Sequence, residues 1–203
     1  MDAKVQAVLD QYHERMKQER EGMRRGPGQG GFDRDQVLLA VGPDAGQLVN
    51  ILAASLKAPN ILEIGTSFGY SGIWLAEAAR RSGGHVTTLE LAKNKSDYAR
   101  DMSKKAGLAD YIEFKNGDAL DLIKEMKGGW DFILLDLWKD MYTPCLEAFY
   151  PKLNPGAIIV ADNMISPGGP EVARYGKAVR EKPKMTSILV PVGQGLEISR
   201  FEG

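Results

Sequence analysis

A single cysteine, Cys145, in 203 residues excludes an intrachain disulfide and suits a reducing compartment. No apolar run reaches membrane-spanning length. The N-terminal MDAKVQAVLDQYHERMKQER is charged throughout, unlike a secretory signal. An excess of charge of one sign is also missing: the formal net charge is −1, so there is no basic footprint for a nucleic acid. Internal repeats and heptads are absent. These absences point to a soluble cytoplasmic protein with no nucleic-acid or membrane partner. The length fits one domain over 1–203, with 1–42 as an N-terminal helical segment and mobile connector.

Residues 2–21 carry apolar side chains at Val5, Val8, Leu9, Tyr12 and Met16, the spacing of one helical face. That face packs on the domain or on a partner subunit, and a homodimer through it is one expectation. His13, beside the stripe, reads as a solvated or packing histidine. GMRRGPGQGG at 22–31 reads as a connector, with Arg24 and Arg25 as solvated charge. Pro43 opens a helix that ends before Pro59. An alternation follows: strand 60–64, helix 70–82, strand 85–91, helix 94–106, strand 111–115, helix 118–126, strand 131–135, helix 142–152, strand 157–161. Such repeated units imply an α/β architecture with a mostly parallel sheet between two helix layers. Thr186–Val192 and Leu196–Phe201 flank a Gly193-Gln194-Gly195 turn and are expected to close the sheet as an antiparallel hairpin instead of another βα unit.

The organising stretch is NILEIGTSFGYS at 60–71, a short buried strand, a glycine turn and a helix N-terminus. Glycines allow close backbone approach, and the free N–H groups of a first helical turn favour anionic groups. The spacing Gly65-x-x-x-Gly69 is neither the G-x-G-x-x-G of dinucleotide binders nor a phosphate loop. Glu63 would repel a pyrophosphate but suits the amino group of an amino-acid-like cofactor. Glu90, ending the next strand, is placed to take two ribose hydroxyls. An adenosine that carries an amino acid in place of phosphates is S-adenosylmethionine, the leading cofactor.

Ligands of open parallel sheets bind outside the carboxyl ends of the strands. The fourth strand ends in Asp136, within LLDLWKD, and the fifth in Asp162-Asn163, within IIVADNM. Two carboxylates and a carboxamide form an oxygen set suited to a hard divalent cation such as magnesium, and the lack of nearby Cys or His argues against zinc. Lys139 reaches the same space, and Glu197 could face it from the hairpin. Trp138, Met141, Tyr142 and Met164 taken singly read as packing.

From about Val41 onward the chain resembles the metal-dependent catechol O-methyltransferase-like proteins of the class I methyltransferase fold. The likeness rests on VGPDAGQ at 41–47, LEIGTSFGYS at 62–71, TLEL at 88–91, LLDLWKDMY at 134–142, ADNMISPGGP at 161–170 and GLE at 195–197. It implies a three-layer Rossmann-like fold with extra N-terminal helices, and methyl transfer from S-adenosyl-L-methionine to a catechol-type hydroxyl. The implied metal ligands are Asp136, Asp162 and Asn163, holding Mg2+ or another divalent cation such as Mn2+ or Ca2+. Lys139 is the implied base. Glu197 and Asn163 would contact the second hydroxyl of the diol. The implied cofactor residues are Val41, Glu63, Gly65, Ser67, Tyr70, Ser71, Glu90, Leu91, Asp118, Ala119, Asp136 and Trp138. Among them Ser71 takes the methionine carboxylate and Trp138 flanks the adenine.

The chain departs from the family pattern at three places: Leu137 replaces a histidine, Ala119 a serine that touches adenine, and Val37 a gatekeeper tryptophan. The lost bulk at Val37 keeps open a larger acceptor such as a hydroxycinnamoyl thioester or a catechol-bearing natural product. A non-catalytic S-adenosylmethionine-binding protein would be expected to lose some of the metal set or Lys139. A dehydrogenase is disfavoured by Glu63 and the glycine spacing.

Overall fold

The computed structural model describes residues 1–24 and 36–203, with main chain only for 22–24. Seven strands form one sheet in the order β3-β2-β1-β4-β5-β7-β6. They are β1 (Asn60–Ile64), β2 (His85–Glu90), β3 (Ile112–Asn116), β4 (Trp130–Leu135), β5 (Leu153–Ala161), β6 (Met185–Val190) and β7 (Leu196–Phe201). The first five are parallel, and β7 runs antiparallel between β5 and β6. The helices are α1 (Ala3–Arg24), α2 (Pro43–Ala54), α3 (Tyr70–Ser82), α4 (Lys93–Lys105), α5 (Ala119–Glu125), α6 (Tyr142–Phe149) and α7 (Pro170–Glu181).

Period-two alternation gives the central strands two apolar faces, as expected when helices cover both sides. Ile61, Phe132, Leu134, Ile158 and Val160 pack with α1 to α4. Their neighbours Leu62, Ile64, Ile133, Leu135, Ile159 and Ala161 pack with α5 to α7. The α1 stripe of Val5, Val8, Leu9, Tyr12 and Met16 is buried against its own chain. Of the connector expected at 22–31, residues 22–24 belong to α1 and the rest, with Arg25, lies outside the described residues.

Three expectations need correction. α7 was not foreseen. It makes β5–α7–β6 a further βα unit, so β6 and β7 form the expected hairpin while β6 itself runs parallel to β5. Pro170 opens α7, and Val172, Tyr175 and Val179 make its buried stripe. The expected helix 142–152 stops at Phe149, because Pro151 falls in a tighter 3-10 turn. β5 starts at Leu153 and not at 157, since a register shift in β4 pairs Trp130 with Leu153. The other boundaries agree within a residue or two, as fraying ends do.

Candidate active site

β1, β2, β4 and β5 all end at one edge of the sheet, and two sites meet there. The first is the turn after β1. Gly65 has φ +106°, and a Cβ on it would lie 2.0 Å from the main-chain oxygen of Asp136, so only glycine lets β1 and β4 close up here. Gly69 caps α3 from the left-handed region at φ +90°. Glu63 is fully buried under α3 and accepts a 2.5 Å hydrogen bond from Thr88. Its Oε1 has no hydrogen-bond partner among the described residues, and neither has the buried Oγ of Ser67. Burial pushes the Glu63 carboxyl up to about 7, against the opposing hydroxyls of Ser71 and Thr88. Glu90 accepts the main-chain N–H groups of Ser67 (2.7 Å) and Ala92 (2.9 Å), which fix it while leaving lone pairs for a diol.

α1 straps this turn. Tyr12 Oη donates to the Phe68 carbonyl at 2.6 Å, and the Arg15 guanidinium lies 4.2 Å from the Phe68 ring centre. His13 is half-buried and packs against this turn, as one of the two readings expects, with its Nε2 2.9 Å from Tyr70 Oη. Burial pushes the Tyr70 phenol up to about 12, so its proton stays available for that bond. Val41 is buried, whereas Leu91 and Trp138 are exposed at 71% and 57%, as apolar side chains at a ligand's edge would be. Asp118 is engaged as the N-cap of α5 through Leu120 and Asp121, and Ala119 follows it.

The second site joins Asp136, Lys139, Tyr142, Asp162 and Asn163. Lys139 stands one turn beyond Asp136, in a 3-10 turn before α6. Its ammonium donates to Asp136 Oδ1 at 3.0 Å, Asn163 Oδ1 at 2.5 Å and Tyr142 Oη at 2.7 Å. Tyr142 in turn donates to the Asp162 carbonyl at 3.1 Å and meets Tyr175 edge-on. Tyr142, which taken singly reads as packing, thus also holds Lys139, and its i, i+3 spacing to that lysine is the signal for it in the sequence. Asp162 is 1% exposed, and neither carboxylate oxygen has a hydrogen-bond partner among the described residues. Burial and the charge of Asp136 push its carboxyl up to about 7, despite the Asn163 N–H and Lys139.

Two orphaned buried oxygens beside a second carboxylate and an amide oxygen fit a hard cation. No group of three His, Cys, Asp or Glu side chains suited to a metal occurs among the described residues, so any cation here relies on the Asn163 amide.

Glu197 departs from expectation. It is fully buried, with Arg180 of α7 bound to both its oxygens at 2.9 and 2.6 Å and Ser187 at 2.5 Å. The pairing of Glu197 with Ala161 turns it to the α7 face of the sheet. Its lone pairs serve that ion pair, so it is not placed to take a diol hydroxyl.

The geometry agrees with comparisons to known proteins. The O-methyltransferase family profile matches residues 31–201. A catechol O-methyltransferase of Niastella koreensis is 36% identical over 134 residues, which are 64% of this chain and 60% of that protein. The chain thus spans less than two thirds of that relative's length. A caffeoyl-CoA O-methyltransferase of Medicago sativa is 27% identical over 217 residues, covering 96% of this chain and 84% of the relative. Among solved structures, the O-methyltransferase from Bacillus cereus in complex with SAH superposes with a TM-score of 0.73 at 26% identity, covering 99% of this chain and 91% of that one. On the breadth of the profile match and the likeness of the fold, the chain belongs to the O-methyltransferase family.

Proposed function

We propose that this protein transfers the methyl group of S-adenosyl-L-methionine to one hydroxyl of a vicinal dihydroxyaryl small molecule, with the help of a divalent cation. The observation that carries the reading is Asp162: a buried carboxylate whose two oxygens have no hydrogen-bond partner among the described residues, beside Asp136, Asn163 and a lysine that touches both of those. Mg2+, or Mn2+ or Ca2+ in its place, would be held by Asp136, Asp162 and Asn163. It would polarise a hydroxyl and lower its pKa. The turn after β1, with Glu63, Ser67, Ser71 and Glu90, would hold S-adenosylmethionine, which would supply an already activated methyl.

The chain's own part is positioning and proton removal. Lys139, acting as the neutral amine, is the group placed to take the proton of the acceptor hydroxyl on Nζ, whose position Tyr142, Asp136 and Asn163 fix. Trp138 and Leu91 offer apolar surface to the adenine. Gly65 keeps the two sites adjacent by allowing β1 and β4 to close. The carboxylates of Asp136 and Asp162 favour a cation-assisted reaction over one in which a bare phenolate approaches them unshielded.

A bulkier acceptor, such as a hydroxycinnamoyl thioester or a natural product, is the second reading. Two observations favour it: the caffeoyl-CoA relative matches along 96% of the chain, and Glu197 is unavailable to grip a small diol. The test is transfer of labelled methyl to a catechol acid and to a hydroxycinnamoyl thioester, each with Mg2+ and with a chelator. Chelator-sensitive transfer to either supports the chemistry and selects the acceptor. Transfer unaffected by the chelator removes the metal role, and cofactor binding without transfer to any diol points to a non-catalytic binding protein. The apolar face of α1, through which a homodimer is expected, packs within the chain, so a dimer would need another surface.

A further inference from the structure

Asn163 is the weakest of the three oxygen donors, because a carboxamide is neutral and has two ends. Only its oxygen can serve a cation, so something must decide which end faces the site. Lys139 is the donor in its contact with Asn163, so the end that it meets at 2.5 Å is Oδ1. The opposite end, Nδ2, donates to Oε1 of Gln194 and more distantly to the Ser166 carbonyl at 3.4 Å.

Gln194 lies in the turn between β6 and β7, far from Asn163 in sequence, and the same turn templates the whole loop after Asp162. The Gln194 carbonyl accepts the N–H groups of Ile165 at 3.0 Å and Ser166 at 2.9 Å, and the Gly195 carbonyl accepts that of Met164 at 3.0 Å. Gly195 carries no side chain because a Cβ there would lie 2.5 Å from Ile165. Asn163 itself sits at φ +59°, a left-handed conformation uncommon for residues other than glycine. A tightly templated residue with one amide end engaged from outside is the pattern of a ligand whose orientation is set by the groups behind it.

We infer that Gln194 is a positioning residue for the proposed metal site. Its side-chain carbonyl takes the Asn163 Nδ2 protons and thereby commits Oδ1 to the cation. This rests on the metal reading above and goes beyond it, since it gives the β6–β7 turn a role in cation affinity. The main-chain bonds from the loop to Gln194 and Gly195 do not depend on the Gln194 side chain, so its substitution separates orientation of the amide from folding of the loop.

The test is direct titration of the full chain with Mn2+ alone, by calorimetry, for the wild type, Gln194→Met and Gln194→Glu. Methionine keeps the side-chain length and loses the acceptor; glutamate keeps an acceptor for Nδ2. Loss of a group that orients a metal ligand weakens affinity by roughly 10–100-fold. Gln194→Met should therefore bind Mn2+ about 10-fold or more weakly with an unchanged thermal midpoint, and Gln194→Glu should bind at least as tightly as the wild type. A wild type that binds while Gln194→Met binds equally well overturns the inference alone. So does Gln194→Glu falling as far as Gln194→Met. A wild type that takes up no Mn2+ overturns the metal reading itself.

Discussion

The two halves of the site hold two buried carboxylates under different rules. Glu63, at the cofactor end, is surrounded by hydroxyls and main chain: Thr88 donates to it and α3 begins directly above it. Asp162, at the acceptor end, faces a second carboxylate and a lysine, with no hydrogen-bond partner for either oxygen among the described residues. Burial pushes both carboxyls up to about 7. At Glu63 the opposing influence is neutral hydrogen bonding; at Asp162 it is the nearby Asn163 N–H, which falls short of a hydrogen bond, and the charge of Lys139. The cofactor end is thus shaped mostly by the main chain of the turn after β1, which side chains from β2 and α1 hold in place. The acceptor end is assembled by side chains from β4, β5 and the β6–β7 turn. A main-chain site should respond to substitutions through shape, and a side-chain site through charge.

The largest break in this comparison is expected at the acceptor end. Lys139→Ala should lower kcat by about 10³-fold, within the range for loss of a general base, while S-adenosylmethionine affinity stays within a few-fold. Steady-state kinetics with calorimetric cofactor titration would show it, and full activity in a folded variant would refute the assignment. At the cofactor end, Gly65→Ala places a Cβ 2.0 Å from a main-chain oxygen at φ +106°. It should destabilise the fold by about 3 kcal/mol and abolish measurable cofactor binding, read by thermal melting and cofactor titration.

Glu63→Gln sharpens the comparison through pH. A carboxyl whose folded pKa is raised from 4.5 to about 7 adds stability below the lower value and loses it as pH rises through the upper one. The glutamine variant should therefore gain stability relative to wild type between those values and level off above about 7. The gain should not exceed ~3 kcal/mol. Denaturant melts across that range, without cofactor, would show it; a difference that stays flat with pH would contradict the raised carboxyl.

The smallest effect is expected for Tyr142→Phe, which removes the oxygen that holds Lys139 at 2.7 Å. A roughly 10-fold fall in kcat with unchanged KM is expected, the size of one lost hydrogen bond to a charged group. The same change in a Lys139→Ala background should add nothing. An equal fall in both backgrounds would mean that Tyr142 acts through packing instead.

Much of this was legible in the residues. Strand ends are short apolar runs followed by a glycine or a carboxylate, so Glu63, Gly65, Glu90, Asp136, Asp162 and Asn163 could be placed at one sheet edge from topology alone. Helix α7 was equally legible, with Pro170 at its start and Val172, Tyr175 and Val179 in helical period. It was obscured because the Pro-Gly run before it reads as loop. Glu197 was misplaced for a different reason: its face follows from the register of β7 against β5, which a one-residue shift would reverse. His13 and Gln194 gave no local signal that separates a packing or turn residue from one that holds a functional group, because their partners Tyr70 and Asn163 lie far away in sequence.

By itself the sequence determined the alternation of strands and helices, the turn after β1 and the carboxylates at the strand ends, because hydrophobic period, glycine and chain direction are local properties. Only the tertiary structure decided which carboxylates are left unpaired in the interior and which are neutralised. Glu63 and Asp162 face the site, whereas Glu197 is held by Arg180. Burial and partnership depend on residues brought together from distant parts of the chain, and no local pattern encodes that distance.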